Sequence, residues 1–123
     1  PLNDVWCSED GVHWEQITNA AAWTKRMWFS LVVYRGRMWV LGGWNRMDGD
    51  FGDVWYSEDG ANWSEVKSDV IWKARHEHST YVFKDSIWVA GGYAEPLNSE
   101  VWRFEIPATW FDVEKRSDIQ EST

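Results

Sequence analysis

Asp53-Val54-Trp55-Tyr56-Ser57-Glu58-Asp59-Gly60-Ala61-Asn62-Trp63 has a near copy upstream, Asp4-Val5-Trp6-Cys7-Ser8-Glu9-Asp10-Gly11-Val12-His13-Trp14. The match extends beyond these words at a constant offset of 49: Trp23 falls on Trp72, Arg26 on Arg75, Trp39 on Trp88, and Gly42-Gly43 on Gly91-Gly92. A weaker third copy, offset by 47, sets Val101-Trp102 on Val54-Trp55 and Trp110 on Trp63. Periods of this size mark arrays of similar units that cannot bury their faces alone, so the repeat has to be explained before any single residue.

The chain has 123 residues, enough for one ordinary domain, and its 12 tryptophans supply ample apolar surface for a core. A formal net charge of −8 argues against nucleic acid or anionic lipid as a partner, because both require clustered Lys and Arg. The single cysteine, Cys7, has no internal disulfide partner, which leaves the cellular compartment open. No apolar run approaches the ~18 residues expected of a membrane-spanning helix, and no signal-peptide pattern is present. Pro1-Leu2-Asn3 matches Pro96-Leu97-Asn98 in the middle of a repeat, so the chain is expected to begin mid-unit, as a fragment, a processed product or a truncated reading frame.

Aromatic and β-branched residues flanking an Asp-Gly signal predict a hairpin, with strands at Val5 to Ser8 and Trp14 to Thr18 and a turn between. The Asp accepts turn amides, and Gly11 or Gly60 supplies positive φ. Trp28 to Tyr34 and Met38 to Leu41 are apolar runs separated by Arg35-Gly36-Arg37; short and rich in Val and Trp, they read as a second hairpin covered on both faces. Trp44 to Gly52 reads as a polar loop. The order then recurs: a hairpin over 53 to 66, a connection over 67 to 75, strands near 77 to 83 and 86 to 90, and a loop over 93 to 99. A last pair of strands is expected near 100 to 105 and 109 to 114, before a polar tail from Arg116.

Arg75, an apolar strand, Ile87-Trp88-Val89-Ala90-Gly91-Gly92, a variable loop, Val101-Trp102 and Trp110 together resemble the kelch repeat, over residues 1 to about 114. The Ser-Glu-Asp-Gly-x-x-Trp turn also resembles the Asp-box of sialidases and other bacterial propellers. Both resemblances imply an all-β fold of β-propeller blades, each of four antiparallel strands. They imply that Trp28 to Tyr34 and His76 to Phe83 are innermost strands, and Met38 to Leu41 and Ile87 to Ala90 second strands. The organisation expected is an outer half-blade over 1–18, a blade over 19–66, a blade with an atypical last hairpin over 67–114, and a tail over 115–123. That makes about two and a half blades, whereas propellers close with about 4 to 8, so the ring is incomplete in one chain. Apolar end faces then predict self-association, or missing blades supplied by a longer chain.

Asp10 and Asp59 invite a reading as paired catalytic acids. They occupy the same turn in successive repeats, however, and a single structural role performed twice is the better reading. His76-Glu77-His78 places two imidazoles on one face of an expected strand, where a metal needs three or four ligands; no third is evident, and no metal is predicted. The kelch resemblance implies that a His three residues after the arginine, here His78, belongs to the scaffold. Galactose oxidase is a kelch propeller too, but its copper-binding tyrosine and histidine set cannot be assembled here, and no cofactor is predicted.

The site candidates are Arg26, Arg75, Trp44, Asn45, Tyr93, His76 and His78, which cluster at one end of the expected blades. Arginine offers a planar fork for carboxylates, and Trp or Tyr a flat face for a sugar ring. The alternative for the arginines is scaffolding, bonding loop carbonyls and tying blades together. The other tryptophans recur in register and are expected in the core: Trp6, Trp55 and Trp102; Trp14, Trp63 and Trp110; Trp39 and Trp88. Cys7 is expected to be a small packing residue. The function expected is a non-catalytic binding module that presents loops to a protein, peptide or glycan. The alternative is a sugar-active propeller enzyme, either a sialidase-like hydrolase, which should show an arginine cluster and a Tyr with a paired Glu, or a sialic acid mutarotase.

Overall fold

The computed structural model describes residues 1–67 and 72–105. Among them the chain is all-β, with strands β1 (Val5–Cys7), β2 (Glu15–Thr18), β3 (Ser30–Tyr34), β4 (Arg37–Leu41), β5 (Trp44–Asn45), β6 (Gly49–Asp50), β7 (Val54–Ser57), β8 (Ser64–Glu65), β9 (Ser79–Phe83), β10 (Ser86–Ala90) and β11 (Val101–Phe104). They form small antiparallel sheets: β1-β2, a four-stranded β3-β4-β7-β8, the short hairpin β5-β6, and a three-stranded β11-β10-β9. No closed ring forms among the described residues. The strand expected near 109 to 114, Trp110 and the tail lie outside them.

Strand alternation sorts the side chains of the four-stranded sheet. Val32, Trp39 and Tyr56 are directly paired and share one face, while Leu31, Val40 and Trp55 share the other. The first face joins Leu41, Tyr34 and Val54 in a core that also takes in Ile87, Val89 and Trp72 from the second repeat. Trp39 is fully buried and its indole Nε1 donates to the Tyr34 carbonyl at 2.9 Å, which satisfies the polar edge of a large apolar residue. The second face packs Val40, Met38 and Trp55 against Val5, Ala21, Trp23 and Trp63. Polar bonds join the two larger sheets: the Ser30 hydroxyl donates to the His78 carbonyl at 3.2 Å, the Tyr34 hydroxyl donates to the Asp85 carbonyl at 2.5 Å, and Arg35 pairs with Asp85.

The two described Asp turns are built alike. Asp10 Oδ1 accepts the amides of Val12 and His13, each at 2.8 Å, and Asp59 Oδ1 accepts those of Ala61 and Asn62 at 2.9 and 2.8 Å. The Ser8 and Ser57 hydroxyls accept the amides of Gly11 and Gly60 at 2.8 and 2.7 Å. The Asn62 amide, then its side chain, then the Ala61 amide stabilise the ionised form and lower the Asp59 carboxyl to about 2. The His13 ring, then the His13 and Val12 amides, hold Asp10 well below the usual carboxylate range.

Several expectations are corrected. Strands β3 and β9 begin at Ser30 and Ser79, two to three residues later than read from the apolar run, because Trp28 (φ 56°) and Glu77 (φ 53°) leave the extended conformation just before them. Strand β3 is not covered on both faces: Leu31 and Val33 are 55% and 69% exposed, and the cluster that packs Val5 against this face takes in Val40 and Met38 of β4 but neither of them. Trp6 and Trp14 are exposed rather than in the core, although Trp63, the counterpart of Trp14, is buried against Trp23. Cys7 is likewise exposed. The loop after Gly43 contains a hairpin of its own, β5-β6.

Candidate functional site

Isolated antiparallel bridges link Met27 to Trp44 and His76 to Tyr93, the same position in each repeat. They set the residues after each Gly-Gly beside the residue that follows each arginine. Between the two bridges, the Glu77 amide donates to the Trp28 carbonyl at 3.0 Å, which joins the repeats at their ends. Trp28 and Glu77 both hold positive φ, a backbone state that costs a residue with a Cβ about 1–2 kcal/mol, and it recurs at the equivalent position of both units.

Four rings gather as a result. The Trp28, Trp44 and His76 centroids form a triangle with sides of 5.4, 5.2 and 6.2 Å, Trp28 and His76 being stacked at 27°, and Tyr93 extends the group 5.0 Å from His76. His76 is covered, whereas Trp28 and Tyr93 are 49% and 40% exposed. Carboxylates border the rings. His76 Nδ1 lies 2.5 Å from Asp50 Oδ1, His76 Nε2 lies 3.9 Å from the exposed Glu77 carboxylate, and the Tyr93 hydroxyl is bonded to Glu95. The bond to Glu95, then the Glu95 charge, then burial and the Asp50 charge raise the Tyr93 hydroxyl above its ordinary value.

The arginines lie beneath this end, 2% and 0% exposed. Arg26 donates through Nε to the Thr24 carbonyl at 3.0 Å, through Nη1 to the Gly42 carbonyl at 3.0 Å and Asp53 Oδ1 at 2.6 Å, and through Nη2 to Asp53 Oδ2 at 3.0 Å. Arg75 makes the matching set, with the Lys73 carbonyl at 3.0 Å, the Gly91 carbonyl at 2.8 Å and Glu100 Oε2 at 3.3 Å. Every guanidinium nitrogen therefore has an acceptor within the chain, the scaffolding arrangement considered from sequence. Burial works against ionisation of Asp53, but the hydrogen bonds from Arg26 and Trp55 and the Arg26 charge outweigh it and hold that carboxyl below its usual range.

Asn45 is buried within the β5-β6 turn, donating to the Lys25 carbonyl and to Asp48 Oδ2, each at 2.9 Å, and accepting the Asp48 amide at 2.6 Å. His78 does not share a face with His76, because Glu77 breaks the alternation between them. Its ring is buried edge-on to Trp72 at 5.3 Å, and neither nitrogen makes a hydrogen bond of ordinary geometry among the described residues. Burial, then the Arg75 charge, lower its pKa to about 4, against a weak opposing contribution from the Leu41 backbone. No group of three metal-ligating side chains is present among the described residues.

The structure thus brings together Trp44, His76 and Tyr93 and places Arg26, Arg75, Asn45 and His78 inside the framework. Sequence reasoning missed Trp28 and Asp50. Trp28 was hidden in an apolar run, and the available signal was that its counterpart is Glu77, a polar residue where a core position would stay apolar. A cleft of about 830 Å3 lined by Leu41, Val54, Trp72, Val89 and Phe104 opens between the larger sheets. No protein-family model matches the chain, and no curated protein matches it.

Proposed function

We propose that the protein is a non-catalytic binding module, a kelch-like β-propeller segment whose Trp28, Trp44, His76 and Tyr93 end meets a protein, peptide or glycan. The observation that carries this reading is the aromatic group itself. Two rings of large area stand about half open, one on a backbone held in an unfavourable conformation, where burial would be the default for residues of this kind.

The blade reading draws support from the four-stranded antiparallel order β3-β4-β7-β8 and from the matched arginine and Asp-turn bonding in successive units. On that reading β1-β2 is the outer half of one blade, and β9-β10-β11 are the first three strands of another. Leu31 and Val33 at one end, and Tyr81, Phe83 and Val101 at the other, are exposed positions that a neighbouring blade would cover, supplied by a second copy or by a longer chain. Arg26 and Arg75 are bonded internally and lend no support to a sialic acid enzyme.

Arrays of peptides and glycans test the binding reading. Ligands are expected that Trp28→Ala and Tyr93→Ala lose and that Trp14→Ala retains, with thermal stability unchanged within a few degrees. Turnover of a fluorogenic sialoside, or binding indifferent to Trp28 and Tyr93, would overturn it. Native mass that rises with concentration and falls in Val33→Lys would mark self-association; a monomer at every concentration would exclude it for this chain.

A further inference from the structure

The aromatic end carries a charge pattern that narrows the ligand class, given the binding role proposed above. We infer that this end takes a cationic side chain, Arg or Lys, from a basic peptide segment, in preference to an anionic or neutral glycan.

The aromatic faces supply half of the recognition. A guanidinium or ammonium group is attracted to the face of Trp or Tyr within about 6 Å of the ring centre, and Trp is the strongest partner. Trp28 and Tyr93 leave 49% and 40% of their surface open, and each contacts the covered His76 ring, at 5.2 and 5.0 Å between centroids. The Tyr93 hydroxyl, bonded to Glu95, is engaged at the ring's edge.

Carboxylates supply the other half. Asp50 lies against His76, Glu77 is 61% exposed beside the same ring, and Glu95 is bonded to Tyr93. His76 Nδ1 is engaged by Asp50 at 2.5 Å, under the cover of the neighbouring rings. The neighbouring cations do not engage the group. Arg26 and Arg75 are buried with each nitrogen bonded, and the exposed Lys25 and Arg46 form no ion pair or ring contact with the four rings or the three carboxylates. A net charge of −8 adds long-range attraction for a basic partner and repulsion for a sialylated one.

The test is a tryptophan-fluorescence titration of the full chain with four probes: an Arg-Gly repeat peptide, its Glu-Gly counterpart, a neutral chitooligosaccharide and sialyllactose. The expected result is a saturable change with the Arg-Gly peptide alone, weakened at least threefold between 50 and 300 mM salt. Trp28→Ala is expected to weaken binding about tenfold, within the range of a cation over a partly exposed ring. Glu77→Gln should weaken it a few-fold and flatten the salt dependence. Because Glu77 is exposed, that variant keeps the inference testable if Trp28→Ala fails to fold. Binding of the neutral or sialylated sugar at Trp28 with no peptide response would overturn the cationic preference and leave the binding role intact. Binding of the Arg-Gly peptide unchanged in both variants would place it elsewhere and overturn the inference. Silence toward all four probes would overturn the cationic inference, and the binding role would then fall with it if the arrays also find no ligand.

Discussion

Arg26 and Asp53 meet across 27 residues of chain in a two-pronged ion pair, Nη1 to Oδ1 at 2.6 Å and Nη2 to Oδ2 at 3.0 Å, with the arginine side chain wholly buried. The next repeat makes a weaker copy. Arg75 reaches one oxygen of Glu100 at 3.3 Å, and Glu100 remains 49% exposed. Asp53→Ala should therefore cost about 3 kcal/mol in urea unfolding, the lower end for stranding a buried charge because Asp53 is itself 22% exposed. Glu100→Ala should cost less, about 1–2 kcal/mol, because the equally buried Arg75 loses a single long bond to a half-exposed carboxylate. Equal costs would show that the two clasps do not differ as their geometry says.

The glycines differ in what a side chain would meet. A Cβ at Gly92 would lie 2.7 Å from the His76 carbonyl oxygen and 2.7 Å from the His78 Cβ, and one at Gly42 would lie 2.8 Å from the Arg75 carbonyl oxygen, so backbone would have to move. Gly11 has nothing within 4 Å. Gly92→Ala and Gly42→Ala should each cost more than about 3 kcal/mol. Gly11→Ala should cost about 1 kcal/mol, for its positive φ alone. Thermal melts of the three variants decide the matter.

Stability should fall on mild acidification. Unfolded His78 titrates near 6.5 and the folded residue near 4, so between these values the unfolded chain binds more protons. The contribution is complete above about pH 6.5 and declines as pH drops toward 4. The loss is on the order of 2 kcal/mol. In His78→Asn the overall stability is lower, but the slope of unfolding free energy between pH 7 and 4.5 should flatten. An undiminished slope would assign the effect to another group.

Trp14 and Trp63 occupy the same place in the repeated motif, 59% and 9% exposed. Trp63→Ala should cost about 3–5 kcal/mol in denaturant unfolding, since it empties a packed contact with Trp23. Trp14→Ala should stay within about 0.5 kcal/mol. If both cost several kcal/mol, Trp14 is covered by something in solution, and the association expected of the end faces would account for it.

Much of the sheet structure was legible because it depends on local chemistry. The Asp-turn hairpins, the strands at Arg37–Leu41 and Ser86–Ala90 and the equivalence of Arg26 with Arg75 follow from turn residues, β-branched runs and the 49-residue offset. The candidate site was half legible. Trp44 and Tyr93 stood out because they break the repeat, whereas Trp28 was assigned to a strand that its positive φ interrupts. Asp50 was not found, because its bond to His76 spans 26 residues and two different loops.

Periodicity, then, was enough to establish that similar β-units follow one another and which residues are equivalent, since turns and strand alternation act over a few residues. It could not say which equivalents are buried, because burial belongs to the neighbour rather than to the motif. Trp63 is covered by Trp23, and no unit covers Trp14 among the described residues. Nor could it say whether an arginine faces ligand or scaffold. That was decided when the tertiary fold brought Asp53 and the Gly42 carbonyl to Arg26, while Trp28 and Tyr93 stayed exposed around the covered His76.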